Sequence, residues 1–285
     1  MRSRSRSRRL EEVVFKGLMI ASLALVLAIL GGIIFVIVFK GFPALNFAML
    51  TETPKGGYYL GKEGGIANAI VGSVYLAFGA SLVSIFLSLP IALGLQREYT
   101  GRYLAGFTRL MLDVLWGTPS VVYGAFGFVV MVYLGIRASL LGGIIVLTLL
   151  MLPIMVRAME EVIRKIPVEL KEVAYALGTT KIETTMAVVL KQSLPGLVTA
   201  ILLAFGRGIG DAASILFTTG YTDSIPQSLF DPAASLPLAV FFQIGTPIPE
   251  VQARAYASAL ILLLIVLMVS IVSRLLSKRF SRYIL

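Results

Sequence analysis

The chain has 285 residues, 58% of them hydrophobic and 14% charged, with a mean hydropathy of +0.91. A soluble domain of this size carries about a quarter of its residues as Asp, Glu, Lys or Arg, so a water-facing surface is excluded and the chain reads as an all-α polytopic membrane protein. There is no Cys and no His, which excludes thiol nucleophiles, disulfides, thiolate or imidazole metal sites and His-dependent triads; the net charge of +10 sits at the termini and helix ends, as orientation in anionic lipid requires, and gives no reason to expect nucleic acid.

Residues 1–16 form a basic tail whose Arg2, Arg4, Arg6, Arg8 and Arg9 predict repulsion and disorder. The apolar run from Gly17 to Phe39 is longer than the core of a cleavable signal and predicts a retained first span. With the extracytoplasmic loop after it, this unit covers residues 17–66. In that loop Gly56, Gly61 and Lys62 mimic a phosphate-binding loop, but Glu63 stands where Ser or Thr must reach Mg²⁺ and no buried strand precedes it. A second span is expected over Ala69–Leu95, closed by Arg97, Glu98 and Arg102. An amphipathic stretch holding Arg109 and Asp113 leads into a third, over Leu115–Leu134. Within it Gly117, Pro119 and Ser120 predict a kink: proline removes one backbone bond and its small neighbours admit another helix. The fourth span is expected over Ser139–Met155, its end marked by Arg157, Glu160 and Glu161.

Residues 157–193 are too polar to cross lipid. Pro167 suits the first turn of a short helix, Gly178 a left-handed cap, and Thr180 with Glu183 a capping box for the next helix. Leu170, Val173, Ala174 and Leu177 make an apolar stripe with Glu169, Lys171 and Glu172 outside it. Such a helix either lies flat in the interface or docks another protein. The fifth span, Pro195–Thr219, contains Arg207 and Asp211, four residues apart and so on one helix face. Each costs about 2.5–3.5 kcal/mol at mid-span, so both should face the bundle interior or a water-filled path. Five prolines between Tyr221 and Glu250 predict broken helix and loop, and Ala253–Val272 predicts the sixth span. Residues 276–285 form a second basic tail. Six Lys or Arg fall in the first 16 residues, four in the last 12 and six in 157–191, against none in 220–250; both termini and the polar loop are therefore expected in the cytoplasm of a multi-pass cell-membrane protein.

Glu172-Val-Ala174-x-x-x-Gly178, followed by Val188-x-Leu190, resembles the cytoplasmic "EAA" loop of ABC importer permeases, with Lys191 where that family usually has proline. Gly117-Thr-Pro119-Ser120-x-x-x-Gly124, Leu152-Pro-x-x-x-Arg157-x-x-Glu160-Glu161 and Gly206-Arg207-Gly-x-Gly210-Asp211-Ala-Ala resemble segments of the phosphate branch, the PstA-type subunit. Asp211 replaces the usual Glu and Ala212 the usual Thr. The resemblance implies a type I ABC importer permease fold over residues 67–275, with a coupling helix near 168–178 in which Glu172, Ala174 and Gly178 carry the motif. It implies a transport subunit without catalytic residue, metal or cofactor, ATP and Mg²⁺ belonging to two ATP-binding partner subunits. The other implied partners are a homologous PstC-like permease, an extracytoplasmic phosphate-binding protein, inorganic phosphate and membrane lipid. Arg207 would then offer planar donors to phosphate oxygens and Asp211 would accept a hydrogen bond from the proton of hydrogenphosphate, which sulfate lacks; Gly206 and Gly210 would let a partner helix approach. Permeases for sulfate, molybdate or phosphonate, an ion-driven transporter with broken helices, and a membrane scaffold in which Arg207 and Asp211 only lock the fold remain the alternatives.

Overall fold

The computed structural model describes residues 2–55 and 63–281. The phosphate-loop mimic at Gly56, Gly61 and Lys62 lies outside the described residues, as does the end of the basic tail from residue 282. Helix α1 covers Arg2–Gly41. The basic tail expected to be disordered thus continues the first span's helix, since arginine propagates a helix at little cost once an apolar run has formed it. A 3₁₀ turn, Phe42–Ala44, and a short helix α2, Phe47–Thr51, follow within the expected loop. Helix α3 is Ala67–Gly94, α4 Arg102–Gly117, α5 Ser120–Tyr133 and α6 Leu140–Arg164. Two short helices, α7 Val168–Ala176 and α8 Lys181–Thr184, precede a π turn, Thr185–Val189, that runs into α9, Leu190–Ile209. Helix α10 is Leu236–Gln243 and α11 Pro249–Ser281.

Among the described residues five helices are long and apolar enough to cross a membrane, six if α4 and α5 count as one broken span. The third span departs from expectation here. Its two halves meet at 98°, so the Gly117–Ser120 segment is a break, not a kink in a continuous helix. Thr118 (φ −74°, ψ 128°) and Pro119 (φ −57°, ψ 138°) are both extended, as sterics demand of the residue before a proline. Fourteen residues give α5 a length of about 21 Å, short of the roughly 30 Å hydrocarbon core.

Helix α6 is the axis of the bundle. Its Met151, Met155, Val156, Met159 and Ile163 are buried between α3, α9 and α4. Hydrocarbon gives helices no hydrophobic reason to associate, so close approach through small residues must do it. On α3 the buried stripe is Ala77, Ala80, Ser81, Ser84, Ser88 and Ala92, and Thr148 Oγ1 donates across the contact to the Ala80 carbonyl at 3.4 Å. The start of α6 is closed by Ser139, whose side chain accepts from the Gly142 amide, while the Asp231 and Leu229 carbonyls accept from Leu140 and Leu141 at 2.7 and 2.8 Å. Helix α1 lies outside this core and packs on α11, where a Cβ on Gly41 would meet the Tyr256 carbonyl at 2.6 Å.

Candidate functional site

Helix α9 stops inside the bundle. The expected fifth span reached Thr219, but the helix ends at Ile209 with Gly210 as its C-cap. Three alternating glycines, Gly206, Gly208 and Gly210, weaken the helix there, and Asp211 then accepts the Ser214 amide at 2.8 Å, a side-chain turn that competes with further helix. Gly208 marks the depth: a Cβ on it would lie 2.6 Å from Met151 Sδ. Met151 stands eleven residues into α6, about 16 Å along its axis and near half the hydrocarbon thickness. Arg207 and Asp211 therefore share this mid-depth level but not one helix. Arg207 occupies the last turn, where a cation complements the helix dipole, and Asp211 lies beyond the end. Arg207 Nη1 pairs with Asp211 Oδ1 at 3.2 Å, the arginine side chain 52% exposed and the aspartate 4%.

The turns that follow are threaded through the bundle. A Cβ on Gly124 of α5 would meet the Ser214 and Ala213 carbonyls at 2.7 and 2.8 Å, and one on Gly142 of α6 would meet the Thr218 carbonyl at 3.1 Å. Gly143 approaches the Thr219 side chain closely. The Thr218 carbonyl accepts from Ser139 and the Thr219 carbonyl from Ala233, each at 2.9 Å. Irregular backbone at this depth requires such protein partners. The glycines of the α9 signature divide between two surfaces. Gly208 packs on α6, whereas a Cβ on Gly206 would meet no atom within 4 Å and one on Gly210 only the Gly206 carbonyl. Arg207 and the 62% exposed Leu203 open on the same outer surface as Gly206 and Gly210. Gly117, at the end of α4, is also open.

At the other end of α9 sits the hairpin of α7 and α8. The local chemistry is as expected: Pro167 precedes α7, Gly178 has φ +85°, and Thr180 and Glu183 form a reciprocal capping box. The faces of α7 are not as expected. Leu170 and Ala174 turn inward, but Val173 and Leu177 are 60% and 80% exposed and Lys171 is buried. Lys171 turns in because Glu98, on the α3–α4 connection, accepts its Nζ at 2.8 Å. Lys181 Nζ donates to the Glu98 carbonyl at 3.1 Å, and Tyr99 Oη reaches both the Lys181 carbonyl (2.9 Å) and Thr185 Oγ1 (2.6 Å). Glu172 and Gly178 are exposed.

Partial burial pushes the Glu98 carboxyl upward, but the hydrogen bond and charge of Lys171, its backbone bond and Lys181 outweigh this and hold it below the ordinary 4.5. A depressed carboxyl stabilises the fold above its ordinary value and loses that contribution as pH falls through the depressed one. Amide-exchange protection of α7 is therefore expected to be flat from pH 8 to pH 5 with respect to this pair and to fall only in stronger acid. Glu98→Gln should loosen α7 throughout and remove the acid dependence; unchanged protection in that variant would show that the pair does not hold the hairpin.

A second charged group joins α4 to α6. Arg109 Nε donates to Glu160 Oε1 at 2.7 Å and its Nη2 to the Leu95 carbonyl at 2.9 Å. Arg157 Nε donates to Asp113 Oδ1 at 2.9 Å and its Nη1 to Glu160 Oε2 at 3.4 Å. Of these four, Arg157 and Glu160 mark the end of the fourth span in sequence, yet α6 runs through both and Glu160 is 2% exposed. The available signal was their order: an Arg and Asp four apart on one helix, facing an Arg and Glu three apart on another.

Residues 84–282 match the family described as binding-protein-dependent transport system inner membrane component. The chain belongs to that family. The permease is 36% identical over 242 residues to the phosphate transport system permease protein PstA of Yersinia pestis, covering 85% of this chain and 81% of the relative. It is 33% identical over 262 residues to the PstA protein of Mycobacterium leprae (91% and 86%) and 29% identical over 288 residues to a probable ABC transporter permease protein, YqgI, of Bacillus subtilis (94% and 95%). Its fold matches an inward-facing MetNI methionine ABC transporter structure with a TM-score of 0.62 at 18% identity, over 75% of this chain and 95% of that one. The permease is accordingly a multi-pass, non-catalytic transport subunit of an ABC importer, a system that joins permease, ATPase and solute-binding components.

Proposed function

We propose that this permease forms half of the translocation pathway of a phosphate importer, paired with a homologous PstC-like permease, driven by two ATP-binding subunits and loaded by an extracytoplasmic phosphate-binding protein. The observation that carries the reading is Arg207: a half-exposed guanidinium at mid-depth, braced by a buried carboxylate. A guanidinium offers five N–H donors, and Asp211 engages Nη1, so donors remain for an oxyanion. The recurrent PstA relatives favour phosphate among oxyanions. Asp211 has one oxygen on Arg207 and the other on the Ser214 amide, which favours a bracing role over direct contact with the anion. The basic termini and the six Lys or Arg of 157–191 favour a cytoplasmic position for both ends and the α7–α8 hairpin. There α7 serves as the coupling helix, Glu172, Ala174 and Gly178 keeping its shape and surface. Membrane lipid covers the apolar outer faces. An ion-driven transporter is disfavoured by the family, and a scaffold by the exposure of Arg207.

The test is uptake of labelled phosphate into proteoliposomes holding the complete complex, with ATP inside and loaded binding protein outside. Phosphate uptake that excess sulfate leaves unchanged is expected. Uptake of sulfate or molybdate in its place would assign another oxyanion.

A further inference from the structure

We infer that Arg109, Asp113, Arg157 and Glu160 form the joint through which motion of the α7–α8 hairpin reaches Arg207. They act as positioning residues and touch no substrate. The inference rests on the permease role and on α7 as the coupling helix.

The geometry is a continuous chain of contacts. Helix α6 leads directly through Lys165–Pro167 into α7, so a push on α7 arrives first at the end of α6. That end carries Glu160, buried and bonded to two guanidiniums, Arg109 at 2.7 Å and Arg157 at 3.4 Å. Arg109 and Asp113 belong to α4, whose apolar contribution to the core is confined to Ala105 and Leu112. Ion pairs therefore supply much of what couples α4 to α6. From α4 the chain turns by 98° at Thr118–Pro119 into α5, and the Tyr123 hydroxyl donates back across the break to the Leu115 carbonyl at 2.7 Å. One turn into α5, Gly124 lies against the Ala213 and Ser214 carbonyls. The Ser214 amide is held by Asp211, and Asp211 holds Arg207. The steps are two short covalent connections, hydrogen bonds, ion pairs and a glycine contact too tight for a Cβ, so displacement of α4 against α6 carries to the turn that braces Arg207. A purely apolar α4–α6 contact would let the helices slide; paired charges hold one register.

This sequence has no Cys, so thiols introduced into it are the subunit's own labelling sites. In the reconstituted complex, Asp113→Ala should leave ATP hydrolysis responsive to loaded binding protein while the ATP consumed per phosphate imported rises about fivefold or more, the range of ordinary coupling energies. Asp113→Cys/Arg157→Cys should show the same loss when reduced. Bridging the two thiols with a bis-thiosulfonate reagent matched in length to the Arg–Asp pair should restore the wild-type ratio, and reductant should abolish it again. A merely stabilising pair would change the melting temperature and leave the ratio alone. The inference is overturned if Asp113→Ala keeps the wild-type ratio, or if the bridged protein stays uncoupled or is blocked, since a joint that must open cannot be locked. A wild-type complex that hydrolyses ATP in response to its binding protein but imports another anion would revise the substrate only, with the ratio then measured for that anion.

Discussion

Arg207→Ala is expected to reduce phosphate uptake roughly 100-fold while the complex still assembles. A hydrogen bond to a charged group contributes about 1.5–3 kcal/mol, and each 1.4 kcal/mol is tenfold, so losing a two-pronged contact on a transient anion reaches that size. Arg207 is 52% exposed, and its loss opens no core cavity. The carboxylate it leaves behind is the complication, because Asp211 is 4% exposed and an unpaired buried charge destabilises strongly. Arg207→Ala/Asp211→Asn removes that charge while the amide oxygen can still accept from Ser214, so this pair should assemble fully and remain inactive. Asp211→Asn alone should lower uptake by about tenfold through a less firmly placed guanidinium, with discrimination against sulfate unchanged. Relaxed discrimination in that variant would instead put Asp211 in contact with the anion. Full uptake by Arg207→Ala would remove the arginine from the pathway.

Much of this arrangement was legible because lipid imposes simple demands. Apolar runs of about 20 residues located the spans, and the hairpin caps at Gly178 and Thr180–Glu183 follow from local chemistry that tertiary context did not disturb. The end of α9 was hidden for a physical reason. Residues 212–219 are nearly as apolar as the helix before them, and hydropathy cannot tell a span from an irregular segment buried among other helices. Proline alone does not tell a continuous helix from a break. Pro90, Pro153 and Pro195 all remain within helices, which a bundle tolerates by satisfying the freed carbonyl elsewhere, whereas Pro119 follows an extended Thr118 and turns the chain through 98°. Lys171 shows the limit of reading one helix alone. Its type places it outward, and only the position of Glu98, 73 residues away in sequence, turns it in.

Gly178→Val should uncouple ATP hydrolysis from transport, and Gly178→Asn should not. The residue has φ +85° and a Cβ placed on it would meet nothing within 4 Å, so any penalty comes from backbone conformation and not from a clash. A β-branched residue is a severe outlier in that region, while asparagine visits it readily. Valine must therefore reshape the turn that closes α7 and, through the Thr179 amide bonded to the Ala174 carbonyl, its last carbonyls. Val173 on α7 and Leu177 at its C-cap, exposed and four residues apart, form the apolar surface a partner would cover. Leu177→Asp should weaken binding of the ATP-binding subunits about tenfold or more, the loss of one well-buried interface anchor, without altering the fold of the permease alone. Co-purification of the subunits and the hydrolysis stimulated by loaded binding protein measure both effects. If Gly178→Val and Leu177→Asp each kept full subunit binding and full coupling, the α7–α8 hairpin would not be the element that receives the motor's stroke. If Gly178→Asn failed as badly as valine, the requirement at that position would be for the absence of a side chain at the partner's surface, and the contact would extend to the turn itself.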